Sequence, residues 1–412
     1  MEKNTILWNR DFSLLTVVQV LALFANTTLS FVLPLYILDL SGSPALFGLV
    51  LALAGIPLIL MTPLGGVVAD RGKKKRIIIM VDSCTAAIIV LYLLITNHFA
   101  AAVPVIVVKL FALNVLQGIY MPTALASVRF LVPMDKLVPA NAVANLIFSL
   151  ANATGPALGT ILYAQFGIFP VLAACGAIFA LVVILDLFLQ IPNQKQNPPE
   201  KFWEMVKSDL QKSLHFMTKE KPEIGNISLL IFLFSIASVG MILVGLPVLV
   251  IQTLSLDMRL LALSQGVMMG GGVLGGILIG SLDKKLPISK AHWLFAICSF
   301  SILLAALVLL PGIPYELSFF IVTVSAAAIL LTTQIVVIQI MAYAQLKSPK
   351  EIVGKISAVV MAFVIAALPV GQLLFGWLFE WLYWFPALAL FAAVIMTAPV
   401  ALFSVRHFRN IQ

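Results

Sequence analysis

Stretches of about twenty or more apolar residues follow one another along the whole chain, separated by short clusters of charged residues, Pro and Gly. A helix of that length crosses a hydrocarbon core of about 30 Å. Reading the breaks predicts twelve spans, at 12–38, 45–69, 76–96, 101–130, 140–166, 168–190, 225–253, 260–282, 290–311, 316–346, 352–378 and 383–405. The apolar runs are continuous and lack the period-two alternation of a membrane barrel strand. The expected class is therefore all-α, with twelve transmembrane helices. Several spans exceed 25 residues, which predicts tilt, kinks or ends that project into water.

Composition supports the pattern. With 62% hydrophobic and 10% charged residues, the 412-residue chain has too little charge to cover a water-soluble surface. The net charge of +8 would suit a nucleic-acid partner only if the basic residues were gathered on one surface. They lie instead in the short gaps between apolar segments, as loops beside anionic lipid do. With the N-terminus inside, every Lys and Arg except Lys109 and Arg259 falls at an inner end. The outer ends carry Asp39, Asp257, Glu316 and Glu380. That asymmetry predicts a multi-pass protein with both termini cytoplasmic, in a bacterial-type plasma membrane. Cys84, Cys175 and Cys298 fall at unrelated places inside apolar segments, so neither a disulfide framework nor a metal site is expected, and no cofactor is implied. The first apolar segment is too long for a signal-peptide core and reads as a retained helix.

The longest polar stretch lies between the sixth and seventh spans. It opens with NQKQNPPE, and Phe202, Val206, Leu210 and Leu214 then recur every four residues with Lys201, Lys207 and Lys212 between them. This predicts an amphipathic helix on the inner membrane surface, acting as a tether or as a regulatory element. The division is then 1–191 as one six-helix bundle, 192–224 as a cytoplasmic linker and 225–412 as a second bundle. Sliding the chain by 213 residues places Pro34 on Pro247, Asp70 on Asp283, Arg71 on Lys284 and Pro156 on Pro369. Two pseudo-symmetric bundles arising from internal duplication are the expected architecture.

Three motifs carry a resemblance. The loop after the second span runs from Gly66 through Asp70, Arg71, Gly72, Lys73, Lys74 and Lys75 to Arg76. It resembles the G-x-x-x-D-R-x-G-R-K signature of the major facilitator superfamily. The loop glycine stands one place early and Lys74 replaces an Arg, which removes bidentate geometry. The fifth span carries Gly155, Pro156 and Gly159, similar to the G-P-x-x-G-G element of exporters in that superfamily, with Thr160 in place of the last Gly. Small residues four apart allow tight helix packing, and Pro156 removes a backbone hydrogen bond. The fourth span has Asn114, Gln117 and Gly118 where proton-coupled drug exporters carry R-x-x-Q-G, so the usual proton-relay Arg is missing. The segments SVRFLVPMDKLVPANAV and FWEMVKSDLQKSLHFM resemble the branch that holds macrolide-efflux proteins and the enterobactin exporter. The resemblance implies the major facilitator fold, with helices 1, 2, 4, 5, 7, 8, 10 and 11 around a central cavity. It also implies a gating role for Gly66, Asp70, Arg71 and Lys74, echoed in the second half by Asp283 and Lys284.

Polar residues inside the spans are costly and mark candidate sites. Asn141, Asn145 and Asn152 share one face of the fifth span, and the fourth adds Lys109, Asn114 and Gln117. With Asn26, Gln334, Gln339 and Gln372 they are candidate cavity lining, although amides also join helices without touching ligand. Lys109 either snorkels to the interface or stands as a cavity cation that attracts an anion. Asp82 and Asp186 are the acidic residues furthest inside the spans. They are read as ion-pair partners of Arg129 or the basic loop, or as proton carriers.

The expected function is secondary active transport by alternating access: export of amphiphilic drug-like or siderophore-like molecules, with protons as a possible counter-substrate. A carrier of an anionic lipid or metabolite anchored at Lys109 is the alternative, and a non-transporting membrane scaffold a more distant one. His98, His215, His292 and His407 are scattered, with no H-E-x-x-H and no nucleophile–base set, so enzyme chemistry is not expected. No Walker-type loop is present for ATP-driven pumping. The expected partners are a small-molecule substrate and membrane lipid, with the chain a monomer.

Overall fold

The computed structural model describes residues 7–99, 103–192, 211–282, 290–349 and 352–409. Its long helices are α1 (Arg10–Ser41), α2 (Pro44–Arg71), α3 (Lys74–Phe99), α4 (Val103–Leu131), α5 (Leu137–Phe166) and α6 (Ile168–Phe188). The second set is α7 (Pro222–Thr253), α8 (Met258–Leu282), α9 (Ala291–Leu307), α10 (Tyr315–Lys347), α11 (Val353–Trp381) and α12 (Ala387–Arg409). Among the described residues, eleven of these are long and apolar enough to cross a membrane, and α9, at 17 residues, is shorter. At about 1.5 Å per residue α9 spans roughly 25 Å. The predicted spans match helix for helix. The largest shifts are at the end of α9, which stops at Leu307 instead of 311, and at α12, which starts at Ala387 instead of 383, because Leu382–Pro386 forms a turn in which Phe385 N donates to Leu382 O at 2.9 Å.

Most of the linker predicted at 192–224 lies outside the described residues. Residues 211–220 are helical, and Phe216 and Met217 are buried against the start of α7. Lys221 N reaches back to Phe216 O at 2.7 Å, a five-residue step that widens the last turn. α7 contains two more such π turns, at Ile236–Gly240 and Val248–Thr253.

The chain separates into two compact units: Met1–Ser41 with Leu53–Glu200, and Gly42–Ala52 with Lys201–Gln412. α2 thus gives its first turns to the second unit and its remainder to the first. In the first unit α1 packs on α5, α6 and α4, and α3 packs on α6 and α4. In the second, α7 packs on α11 and α12, α9 packs on α12 and α10, and α8 lies along α10. Shifting each helix number of the first unit by six reproduces most of the second unit's pairs, the packing signature of a duplicated bundle.

Glycines set the tightest crossings. A Cβ on Gly118 of α4 would stand 2.7 Å from Met61 Cβ and 3.2 Å from Thr62 N of α2. In the second unit a Cβ on Gly275 of α8 would stand 2.5 Å from Leu331 O of α10. Positions 62 and 275, and 118 and 331, are each 213 apart. The same crossing therefore recurs with the glycine moved to the other helix. Between α1 and α5, a Cβ on Gly155 would meet Thr27 Cβ at 2.8 Å, and one on Gly159 would meet Val32 Cγ2 at 2.7 Å. Between α7 and α11, Gly240 and Gly371 face each other, with a Gly371 Cβ 2.7 Å from Gly240 Cα.

Overpacking such a backbone contact costs about 1–3 kcal/mol. Gly371→Val is therefore expected to lower the melting temperature of the purified protein in detergent by several degrees. Gly276→Val, where nothing stands within 4 Å of the added carbon, should leave it unchanged. Equal melting of both variants would contradict the crossing.

Candidate functional site

Hydroxyls inside the helices are satisfied locally. Thr160 Oγ1 donates to Pro156 O at 2.8 Å, Ser228 Oγ to Ile224 O at 2.7 Å and Thr397 Oγ1 to Ala393 O at 2.9 Å, each one turn back along its own helix. Amides and charges are costlier to bury, and they mark the candidate sites.

In the first unit α1 and α4 meet at an amide pair. Asn26 Nδ2 donates to Gln117 Oε1 at 2.6 Å, and Ser30 Oγ donates to Asn26 Oδ1 at 3.2 Å. Asn114 is buried and turns its amide onto Leu110 O of its own helix at 2.9 Å. Lys109, on the same helix, lies about 80° around the axis from Gln117 at 100° per residue. Its ammonium is buried, 4.0 Å above the centre of the Tyr92 ring of α3. Lys109 therefore neither reaches outward nor joins the amide pair; the face of an aromatic ring holds it.

A cleft of about 490 Å3 opens at the end of this unit that carries the basic loop. Pro122, Leu125, Phe130 and Leu137 form its apolar side; Lys74, Arg129, Asn141 and Asn145 form its polar side. Lys74 is buried with its ammonium 4.6 Å from the centre of the Phe130 ring, so its charge is fixed at the cleft wall. Asn145 Nδ2 bonds Asn141 O at 2.9 Å, and Asn152 Nδ2 bonds Phe148 O at 2.8 Å, both on an exposed stripe of α5. Phe24 of α1 and Met121 of α4 pack beside that stripe, on Leu23, Ile147 and Ala151.

Asp82 and Asp186 do not meet Arg129. They are buried and face each other between α3 and α6, while Arg129 is exposed in the cleft. Of the gating motif, Asp70 and Arg71 end α2, with side chains outside the described set; Asp283 and Lys284 lie outside the described residues altogether. Gly66 meets nothing within 4 Å, and its neighbour Gly65 is the residue pressed against Gly118 and Ile119 of α4. The close approach to α4 is thus made by the residue before the motif glycine.

In the second unit Gln339 and Gln372 are buried and Gln334 is exposed. Gln372 follows Gly371 at the α7–α11 crossing, and its backbone also lies against Gly48 in the first turns of α2. Buried Gln265 of α8, absent from the expected set, adds a further amide, and next to it Ser264 shares a hydrogen bond of 2.8 Å with Thr323 of α10. Hydropathy could have pointed to Gln265, since it interrupts an apolar helix just as Gln339 does.

At the opposite end of this unit is a second cleft of about 520 Å3. Its rim contains Glu380, whose Oε2 accepts from Ser43 Oγ at 2.6 Å and from Ala45 N at 3.1 Å. Ser43 Oγ in turn accepts from Leu46 N at 3.1 Å, so α2 begins under a serine cap and a carboxylate together. Gln252 Nε2 donates to Gly42 O at 3.1 Å on the same rim. Ser43 followed by Pro44 is a readable helix start; that Glu380 completes it could not be read from the chain.

Twelve apolar helices in two similarly packed sets define a multi-pass integral membrane protein. The chain belongs to the Major Facilitator Superfamily, whose family model matches residues 15–364. Solved structures similar to it include the nucleoside transporter NupG, at 13% identity and a TM-score of 0.74, covering 96% of this chain and 99% of that one. A bacterial homologue of the human lysosomal transporter Spinster, in an inward-facing and unoccupied conformation, has 15% identity and a TM-score of 0.70, covering 97% of this chain and 96% of that one. A D-xylose–proton symporter has 13% identity and a TM-score of 0.71, covering 96% and 97%. No curated protein sequence matches significantly. At these identities the likeness establishes the fold alone.

Two outcomes follow from the amide pair and the Glu380 cap. Gln117→Leu is expected to cost about 1–3 kcal/mol by leaving the Asn26 amide without its partner, and Asn26→Leu/Gln117→Leu should recover part of that loss. Chemical or thermal unfolding of the three variants checks it, and strictly additive losses would contradict the pairing. Glu380→Gln should speed hydrogen exchange at residues 44–47 roughly three- to ten-fold, read by mass spectrometry, with little change elsewhere.

Proposed function

We propose that the protein is a secondary transporter that exports amphiphilic drug-like or siderophore-like molecules by alternating access. In this reading the chain is two bundles, 1–191 and 225–412, joined by the linker 192–224, with the basic loops and both termini on the cytoplasmic side of a plasma membrane. The supporting observation is the cleft of the first unit, in which an apolar wall of Pro122, Leu125, Phe130 and Leu137 faces a polar edge of Asn141, Asn145, Lys74 and Arg129. A solute with an apolar body and a few polar groups satisfies both sides, whereas a sugar would leave the apolar wall wet. The cleft's place beside the basic loop fits loading from the cytoplasm, and Gly155, Pro156 and Gly159 at the α1–α5 crossing resemble the exporter element. Proton antiport is the proposed driving reaction, since no nucleotide site is part of this reading.

A second reading, transport of an anionic lipid or metabolite, draws on Lys74 and Arg129 standing at one cleft. In it they replace Lys109 as the anchor, because the Lys109 ammonium is occupied by the Tyr92 ring.

Counterflow in proteoliposomes separates the readings. A labelled macrolide and a labelled catecholate siderophore are expected to exchange, and D-xylose is not. Asn145→Leu should slow exchange of both about ten-fold, the loss of one good polar contact. Arg129→Gln should slow the anionic siderophore far more than the macrolide. Exchange of xylose alone would overturn the amphiphile reading.

A further inference from the structure

The wall formed by α3, α4 and α6 contains a polar site that the transport reading does not use. Asp82 of α3 and Asp186 of α6 are 2% and 0% exposed, and Tyr120 of α4 is 1% exposed. The two carboxyl groups face each other within hydrogen-bonding reach, and Tyr120 of α4 lies near them without bonding either. Yet Asp82 Oδ2, both Asp186 oxygens and Tyr120 Oη are without a hydrogen-bond partner. The two findings agree only if the carboxyl groups are compared as bare acceptors. Two carboxylates have no hydrogen to share; one proton between them turns the mutual contact into a bond.

No cation competes for that role. The ion pair found among the described residues is Lys136–Asp135, at 3.4 Å, outside this wall. Lys75 of α3 lies near Asp186 but donates to Leu187 O at 2.7 Å. From α1, Asp11 reaches the end of α6 and accepts from Gln190 N at 3.0 Å, beyond Asp186. The titratable side chain of α5, Tyr163, donates to Asp39 at 2.7 Å, far along the bundle. Lys109, held on Tyr92, is eleven residues from Tyr120, roughly 16 Å along α4. Two adjacent negative charges in an apolar wall without a counter-charge are far costlier than one shared proton.

We propose that Asp82 and Asp186 form a proton-binding site, holding one proton between two carboxyl oxygens. Loading takes one proton from water at the basic-loop end and changes the pair from two negative charges to one; release returns it by the same end, past Lys75.

Infrared difference spectroscopy of the full-length protein in lipid nanodiscs tests this without any substrate, so it stands apart from the counterflow result. At neutral pH the wild type is expected to show a protonated-carboxyl band that is lost in both Asp82→Asn and Asp186→Asn. In each the new amide donates to the remaining carboxylate and keeps the wall intact, which an unchanged gel-filtration profile verifies. Transfer to D2O should shift the wild-type band as the proton exchanges. A wild-type spectrum lacking the band would overturn the site, as would a band unaffected by either Asn variant. A band that never responds to D2O would rule out an exchanging proton, and one abolished by sodium would put a metal cation there instead.

Discussion

In a hydrocarbon solvent a polar group that leaves water must find its partner inside the protein, and the whole arrangement of this chain follows from that constraint. Backbone groups meet it by forming twelve helices. Hydroxyls meet it at no topological cost, by bonding a carbonyl one turn back, as Thr160 and Ser228 do. Amides can do the same, as Asn114 does, or reach a second helix, as Asn26 does in bonding Gln117 and tying α1 to α4. Charges demand most. Lys109 takes the face of Tyr92, and Asp82 takes Asp186, so the costliest groups sit where three helices converge.

Small residues decide how near those helices come. Without a hydrophobic drive between helices in lipid, close packing supplies the attraction, and a glycine at the crossing lets backbones touch. Gly155 and Gly159 draw α5 onto α1, while Gly240 and Gly371 do the same for α7 and α11. The amide pair of α1 and the exposed asparagines of α5 are held on elements fixed by such crossings. Rigid helices carry the polar groups, and the π turns of α7 put local slack beside Gly240. Slack next to a tight crossing gives a bundle a defined place to bend.

Helix number and position were legible in the chain because the membrane imposes one length on every span; α1 to α12 fall within a few residues of the apolar runs. What remained hidden was rotation about each helix axis. In lipid nearly every face is apolar, so no amphipathic stripe tells which side of α4 meets which neighbour. Lys109 was therefore readable as unusual but not as a partner of Tyr92. The same ambiguity hides that Gly65, beside the motif glycine, is the residue pressed against α4. Partners distant in sequence were hidden for a related reason. Asp82 and Asp186 are 104 residues apart, and Ser43 and Glu380 are 337 apart. Neither spacing carries a local signal, and only the packing of the helices brings them together.

Transporters of nucleosides and of xylose share this fold at 13% identity, so the backbone itself does not select a solute. Selection has to come from the few side chains whose polar atoms are not spent on the fold. Asn26 and Gln117 are spent on each other, and Asn114 is buried with its amide on its own helix. Asn145 and Asn152 commit only one amide hydrogen each and leave a carbonyl oxygen on an exposed stripe. Arg129, at the same cleft, is exposed with its guanidinium open to a ligand. Beside them stand Leu125 and Phe130, which no sugar hydroxyl can satisfy. A surface that offers acceptors, one open cation and a broad apolar wall discriminates by how a molecule's polarity is divided, and that is why an amphiphile fits it better than a uniformly polar solute.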